Sequence, residues 1–218
     1  LEYTARIRFS NSEFDVSVVR DTIKVPEITI SWQEDIAVVR LLQFGKLTDT
    51  DLRPEMAHIQ EQEPRGIILD LRNNPGGLLH AASSVVSNFM NKGSPVAIIR
   101  SRNGEETDRT EVSPTIDAGV PLVVLVNGGS ASAAEIVAGA LQDAGRATII
   151  GEKTFGKGTV QEVLEFNDQS SLKLTIAEWL TPKGRKIDGV GVVPDLVIPY
   201  SDRDDQMAKA LEILKRRR

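Results

Sequence analysis

Two stretches of this sequence end an apolar run on small residues: Asn74-Pro75-Gly76-Gly77-Leu78 and Gly128-Gly129-Ser130-Ala131-Ser132-Ala133. A strand that stops at such a loop and passes into a helix leaves free N–H groups at the helix start. Open α/β folds bind ligands at these strand ends. A serine there has its hydroxyl beside ready-made oxyanion donors, as nucleophilic acyl transfer requires. The plainer reading of such a serine is a helix cap, the usual role of this residue at a helix start. A serine nucleophile also needs a base. Lysine serves when its surroundings keep it neutral, and a serine–lysine pair is a variant of the triad arrangement. Lys157, in the glycine-rich stretch Gly151 to Thr159, is the lysine for that role.

The same stretch almost spells a phosphate-binding loop, G-x-x-x-x-G-K-[ST]. It fails twice: Gly158 stands where the magnesium-binding hydroxyl belongs, and Thr159 to Leu164 reads as extended where a helix is required. The two histidines, His58 and His80, offer a poorer base. His58 lies on the polar face of a helical pattern. His80 sits on an early helix that could bring it near Asp70, with no serine motif of its own. Both read as surface or packing residues.

The elements that must position these residues follow from periodicity. Tyr3 to Phe9 and Phe14 to Val19 alternate as strands. Ile36 to Leu42, Gly66 to Leu71, Val96 to Ile99, Pro121 to Val126 and Ala147 to Ile150 read as buried strands. Helical spacing places Leu52, Met56 and Ile59 on one face over Asp51 to Gln62, and Leu78, Ala82, Val85 and Phe89 on another. A third helix is expected over Ser132 to Asp143, stopped by Gly145. Residues 101–117 are polar and read as a surface loop. Residues 159–166 and 171–180 read as a hairpin. The alternation of strands and helices predicts an α/β core. Asp204 to Leu214 carries Met207, Ala210, Leu211 and Leu214 on one stripe. Its acidic start and basic end, Lys215 to Arg218, match the helix dipole.

The whole chain has 218 residues, enough to bury a core without a disulfide or metal. Its 26 basic and 31 acidic side chains give a net charge of −5, so no basic excess points to nucleic acid. With no cysteine, thiol catalysis, thiolate metal sites and disulfides are excluded. No apolar run is long enough to span a membrane, and no signal peptide is visible. The first residue is Leu1, which suggests a chain cut from a longer one.

Three segments together carry a resemblance. They are Asp70-Leu71-Arg72-Asn73-Asn74-Pro75-Gly76-Gly77, Val126 to Ile136, and Gly151 to Gln161. In order and spacing they resemble the carboxyl-terminal processing proteases, also called tail-specific proteases. The resemblance runs from about Ile28 to Pro199. Thr181 to Arg185 and Gly189 to Asp195 also look like the family. It implies an α/β fold of the crotonase/ClpP-like kind, a repeated ββα core. It implies Ser132 as nucleophile and Lys157, 157 − 132 = 25 residues on, as general base. Gln161 would orient the lysine. The N–H groups of Gly77 and Ala133 would form the oxyanion hole, Gly77 being a glycine so that backbone approaches the substrate closely. Ser130 reads as a turn residue and Glu135 as a first-turn carboxylate.

The expected organisation is a remnant of the end of a PDZ-like domain over residues 1–25, a serine protease core over 26–200 and a C-terminal helix over 201–218. The expected function is a serine endopeptidase cleaving proteins near their C-terminus, with no cofactor or metal. The alternative is a catalytically silent peptide-binding module of the same fold, which would be expected to lose Ser132 or Lys157. Protein or peptide substrates with unstructured C-terminal tails are the implied partners, together with a homodimer and an adaptor or activator protein. No nucleic acid and no integral membrane span are expected. The resemblance implies export to a bacterial envelope or periplasm, or to a plastid lumen.

Overall fold

The apolar runs become parallel strands stacked side by side. The computed structural model describes residues 2–9, 12–19, 21 and 26–216. Of the expected N-terminal and C-terminal segments, Leu1, Ser10, Asn11, Arg20, residues 22–25, Arg217 and Arg218 lie outside the described residues. The first elements are β1 (Glu2–Phe9) and β2 (Ser12–Val19), an antiparallel pair that makes a sheet of its own. The chain continues through β3 (Ile28–Gln33), β4 (Ile36–Leu41), α1 (Thr48–Glu61), β5 (Gly66–Asp70), α2 (Leu79–Ser87), β6 (Pro95–Ser101) and β7 (Gly104–Arg109). Then come β8 (Leu122–Val126), α3 (Ala133–Asp143), β9 (Thr148–Gly151), β10 (Thr159–Glu165), β11 (Ser171–Leu180), β12 (Leu196–Val197) and α4 (Asp205–Arg216). The α/β class expected from the alternation is what the chain adopts.

A six-stranded sheet runs β12-β9-β8-β5-β4-β3, with all but the β3 edge parallel. Strands β5 and β8 are buried along their whole length, which is why they read as continuous apolar runs. One face packs Val39, Leu69 and Val124 against α1, α2 and α3. The other face carries Val38, Ile68, Val123, Leu125 and Ile150, and α4 covers it with Ala210 and Leu214. The stripe read from the sequence therefore packs on its own chain. A second, antiparallel sheet runs β10-β11-β6-β7.

Three strands escaped the periodicity: β3, β7 and the two-residue β12, which pairs with β9. The segment expected as a loop over 101–117 contains β7, paired with β6 from Ser101↔Gly104 to Pro95↔Arg109. Its sequence, GEETDR, is polar because this edge strand buries no side chain fully, so no apolar alternation marks it. β3 alternates half-buried and exposed residues and forms a hairpin with β4 through Glu34 and Asp35.

Candidate active site

Strands β5, β8 and β9 are parallel neighbours, so their C-terminal ends open on one edge of the sheet. Each feeds one of the three segments singled out above. Their residues meet around a cleft of about 440 Å³ lined by Gly77, Ser132, Ala133, Lys157 and Gln161. All five residues expected at the site share this one cavity.

The loop after β5 is held by Asn74, whose buried side chain donates to Leu41 O at 2.7 Å and accepts from Gly76 N–H at 2.8 Å. Asn73 and Asn127 bind each other reciprocally at 2.9 Å, tying this loop to the one after β8. Gly76 has φ +91°, and a Cβ there would lie 2.8 Å from Ser132 Cβ and 2.9 Å from Ala133 N. Gly76 is thus the glycine that allows the two loops to touch. At Gly77 a Cβ would lie 2.0 Å from Phe44 O, so packing within the chain already forbids a side chain there. Phe44 accepts from Leu78 N–H at 2.8 Å and donates to Gly76 O at 3.0 Å. Among the described residues, no acceptor takes the Gly77 N–H or the Ala133 N–H.

Ser132 begins α3 with φ 55° and ψ −116°. A capping serine takes the β region, and a positive φ is costly for a residue with a Cβ. The turn is held by its surroundings. Ser130 is fully buried and its hydroxyl donates to Leu71 O at 2.8 Å and accepts from Asn127 N–H at 3.0 Å. Its oxygen is therefore committed to the scaffold, whereas Ser132 is half-buried at the cleft.

Glu135 does more than a first-turn carboxylate. It is completely buried and accepts from Ser132 N–H at 2.8 Å, Thr154 Oγ1 at 2.5 Å, Gly156 N–H at 2.7 Å and Lys157 N–H at 2.9 Å. It thereby joins the turn of Ser132 to the loop of Lys157. The sequence shows only a glutamate three residues after a serine, which is the ordinary capping-box pattern. Lys157 is half-buried, and its carbonyl accepts from Trp179 Nε1 at 2.9 Å. Among the described residues, no hydrogen bond joins Lys157 Nζ to Ser132 Oγ or to Gln161, and no carboxylate pairs with Lys157. Such bonds are often long before substrate binds.

The histidines stay outside. His58 is exposed on α1 beside Glu61 at 3.6 Å. His80 is not near Asp70 in any bonded sense: it lines a separate cavity with Ser83 and Asp108. Asp70 instead pairs with Arg72 at 2.8 Å. Arg72 also reaches Asp204 at 2.6 Å and so ties the end of β5 to the start of α4. Burial works to lower the Arg72 pKa, but the hydrogen bonds from Asp70 and Asp204 prevail and raise it. The stretch resembling a phosphate loop continues into strand β10, with no helix to receive a phosphate.

With this geometry in place, the likenesses to known proteins are specific. The sequence profile of peptidase family S41 matches residues 35–198. A carboxy-terminal-processing protease of Bartonella bacilliformis is 45% identical over 189 residues, covering 84% of this chain and 43% of that protein. The carboxy-terminal processing protease CtpA of Bacillus subtilis is 38% identical over 200 residues, covering 87% of this chain and 42% of that protein. The solved structure of a photosystem II D1 C-terminal processing protease superposes with a TM-score of 0.73 at 32% identity, over 86% of this chain and 52% of that one. This chain spans less than half the length of the two bacterial relatives. Among the described residues, no helix is long and apolar enough to cross a membrane.

Proposed function

The chain belongs to peptidase family S41, and from that premise we propose that residues 26–200 are the catalytic core of a serine endopeptidase that cuts proteins near their C-termini. One observation carries the reading. Ser132 begins a helix at a cleft that also holds Lys157, Gly77 and Ala133, and among the described residues the N–H groups of the last two have no acceptor. In this reading Ser132 Oγ attacks the scissile carbonyl carbon while Lys157 Nζ takes its proton. The oxyanion accepts hydrogen bonds from Gly77 and Ala133 N–H. Lys157 returns the proton to the leaving amine as the C–N bond breaks, leaving an acyl-enzyme. Water then attacks that ester, Lys157 again accepting the proton, and the carboxylate product leaves as Ser132 regains its hydrogen. Gln161 orients the lysine within the same cleft.

The names of the relatives support the choice of C-terminal segments as substrates. In the same reading, residues 1–25 are the end of a PDZ-like domain, and residues 201–218 are a C-terminal segment whose helix α4 docks on the core. The substrates are unstructured protein tails, and the place of work is the bacterial envelope or a plastid lumen. A homodimer and an activating adaptor protein are the partners this reading includes. The test is digestion of an unfolded protein such as casein, followed by intact-mass analysis of a peptide with a defined tail. Cleavage by the chain, lost in Ser132→Ala and in Lys157→Arg, supports the reading. Cleavage that survives either substitution overturns the assignment of that residue.

A further inference from the structure

The hairpin of β10 and β11 forms one wall of the cleft. Its register pairs Gln161 with Thr175 and Val163 with Lys173. Side chains alternate along a strand, so Gln161, Val163, Lys173 and Thr175 share a face. Gln161, Val163 and Lys173 line the cleft, and Lys173 stands directly across from Val163, two ladder positions beyond Gln161. The protein has a net charge of −5, yet the charged side chains lining this cleft are Lys157 and Lys173, with no carboxylate among them. Among the described residues Lys173 has no charged partner. Glu165, diagonal to it across the ladder, makes no ion pair with it, and among the described residues no other acid does. By contrast Arg100 on β6, and Lys186 just past the end of β11, are both paired with Glu178.

A cleft of one charge sign concentrates ligands of the other. An ammonium on the wall of a peptide site, with no described residue to pair it, is complementary to a carboxylate. We propose that Lys173 is a specificity residue that binds a carboxylate of the peptide lying in the cleft. That group is either the free C-terminus or an acidic side chain near the cut. This rests on the reading of the cleft as a peptide site and names what that site selects. Lys157 is the base in that reading, which leaves Lys173 as the lysine of the cleft available to pair with a carboxylate of the peptide.

The test uses the Ser132→Ala chain, which can bind without cutting, and one fluorescent peptide in three forms: free acid, C-terminal amide, and free acid with its Asp and Glu replaced by Asn and Gln. Anisotropy at about 20 mM salt should show one of the two carboxylate losses weakening binding about three- to fivefold, the size expected of a part-exposed ion pair. Which form suffers identifies the source of the carboxylate. Adding Lys173→Ala should weaken the parent peptide by the same factor and erase the difference. Lys173→Arg should retain it, and about 0.5 M salt should shrink it. Equal binding of all three forms, or a preference that survives Lys173→Ala, overturns the proposal. Parallel digestion by the unsubstituted chain separates the two levels. Cleavage with no carboxylate preference removes only the role of Lys173. No binding and no cleavage of any form removes the peptide-site reading and the role of Lys173 with it.

Discussion

The backbone N–H groups of Ser132 and Lys157 converge on a single oxygen, Glu135 Oε2, at 2.8 and 2.9 Å. The two residues come from the ends of different strands, and this buried carboxylate fixes the distance between their main chains. Its other oxygen takes Thr154 and Gly156, so no acceptor capacity is idle. One buried side chain, together with the Phe155 N–H bond to Ser130 O at 3.0 Å, thus holds the proposed nucleophile and the proposed base in register.

Substitution of Glu135 should therefore damage fold and activity together, in graded fashion. Glu135→Ala leaves several buried donors without an acceptor, each costing about 1–3 kcal/mol. Urea unfolding should show a loss of at least about 3 kcal/mol. Glu135→Gln keeps the shape but sets an NH₂ against N–H donors. It should lose less stability, while activity per folded molecule falls at least about tenfold through misplacement of Lys157. Unaltered kinetics in a folded Glu135→Gln chain would show that the link does not set the site.

Lys157→Arg keeps a cation, a long stem and the backbone bond to Glu135. A guanidinium does not give up its proton in this pH range. Activity should vanish, while thermal unfolding moves by no more than about 1 kcal/mol, as for a substitution that leaves the core intact. Retained turnover would remove the lysine from proton transfer.

Arg72 bridges Asp70, almost fully buried at the end of β5, and Asp204 at the start of α4. Arg72→Met should cost about 3 kcal/mol, because Asp70 is left as a buried carboxylate without its cation. The Asp204 carboxyl is under two influences. Burial raises its pKa, and the stronger combined pull of Arg72 and of Met207 N–H holds it below the ordinary 3.8. A carboxylate depressed in the folded state gives its full stabilisation above the unfolded value, and loses it as pH falls through the folded one. Stability should thus be flat in this respect above about pH 5 and decline below about pH 4. In Asp204→Asn that part of the decline should be smaller. Urea midpoints at a series of acidic pH values would read it, and identical curves for the two chains would contradict it.

The stripe of α4 is covered by the sheet, with Leu214 1% exposed and packed against Gly66. Leu214→Ala should cost about 2–4 kcal/mol by cavity formation. A chain ending at Pro199 would uncover Val123, Leu125 and Ile150 and should aggregate. Sedimentation of that truncated chain as a well-folded monomer would show the helix to be dispensable.

Much of this was legible before any coordinates. Apart from Asp70 at the end of β5, strands β5 and β8 are apolar throughout because helices cover both faces, and that leaves a plain trace in the sequence. The loops after β5, β8 and β9 announced themselves through glycine and small residues, and their parallel order brings them together. What stayed hidden depended on partners distant in sequence. β7 is a polar edge strand, defined by its pairing with β6 and not by its own pattern. Glu135 looked like a local cap because its Thr154, Gly156 and Lys157 partners lie about twenty residues away. The glycine at position 77 suggested room for substrate, and the obstruction is Phe44, which no local pattern indicates. Neither Arg72 nor Asp204 carries any mark of the other.

The central claim is that Ser132 is the nucleophile, and covalent labelling addresses it most directly. A fluorophosphonate probe should add to the chain once, and peptide mapping should put the adduct on Ser132. The adduct should disappear in Ser132→Ala and persist in Ser130→Ala, whose hydroxyl is bound to Leu71 O within the scaffold. An unlabelled chain that nonetheless cleaves peptides, or an adduct that maps to Ser130, would contradict the account.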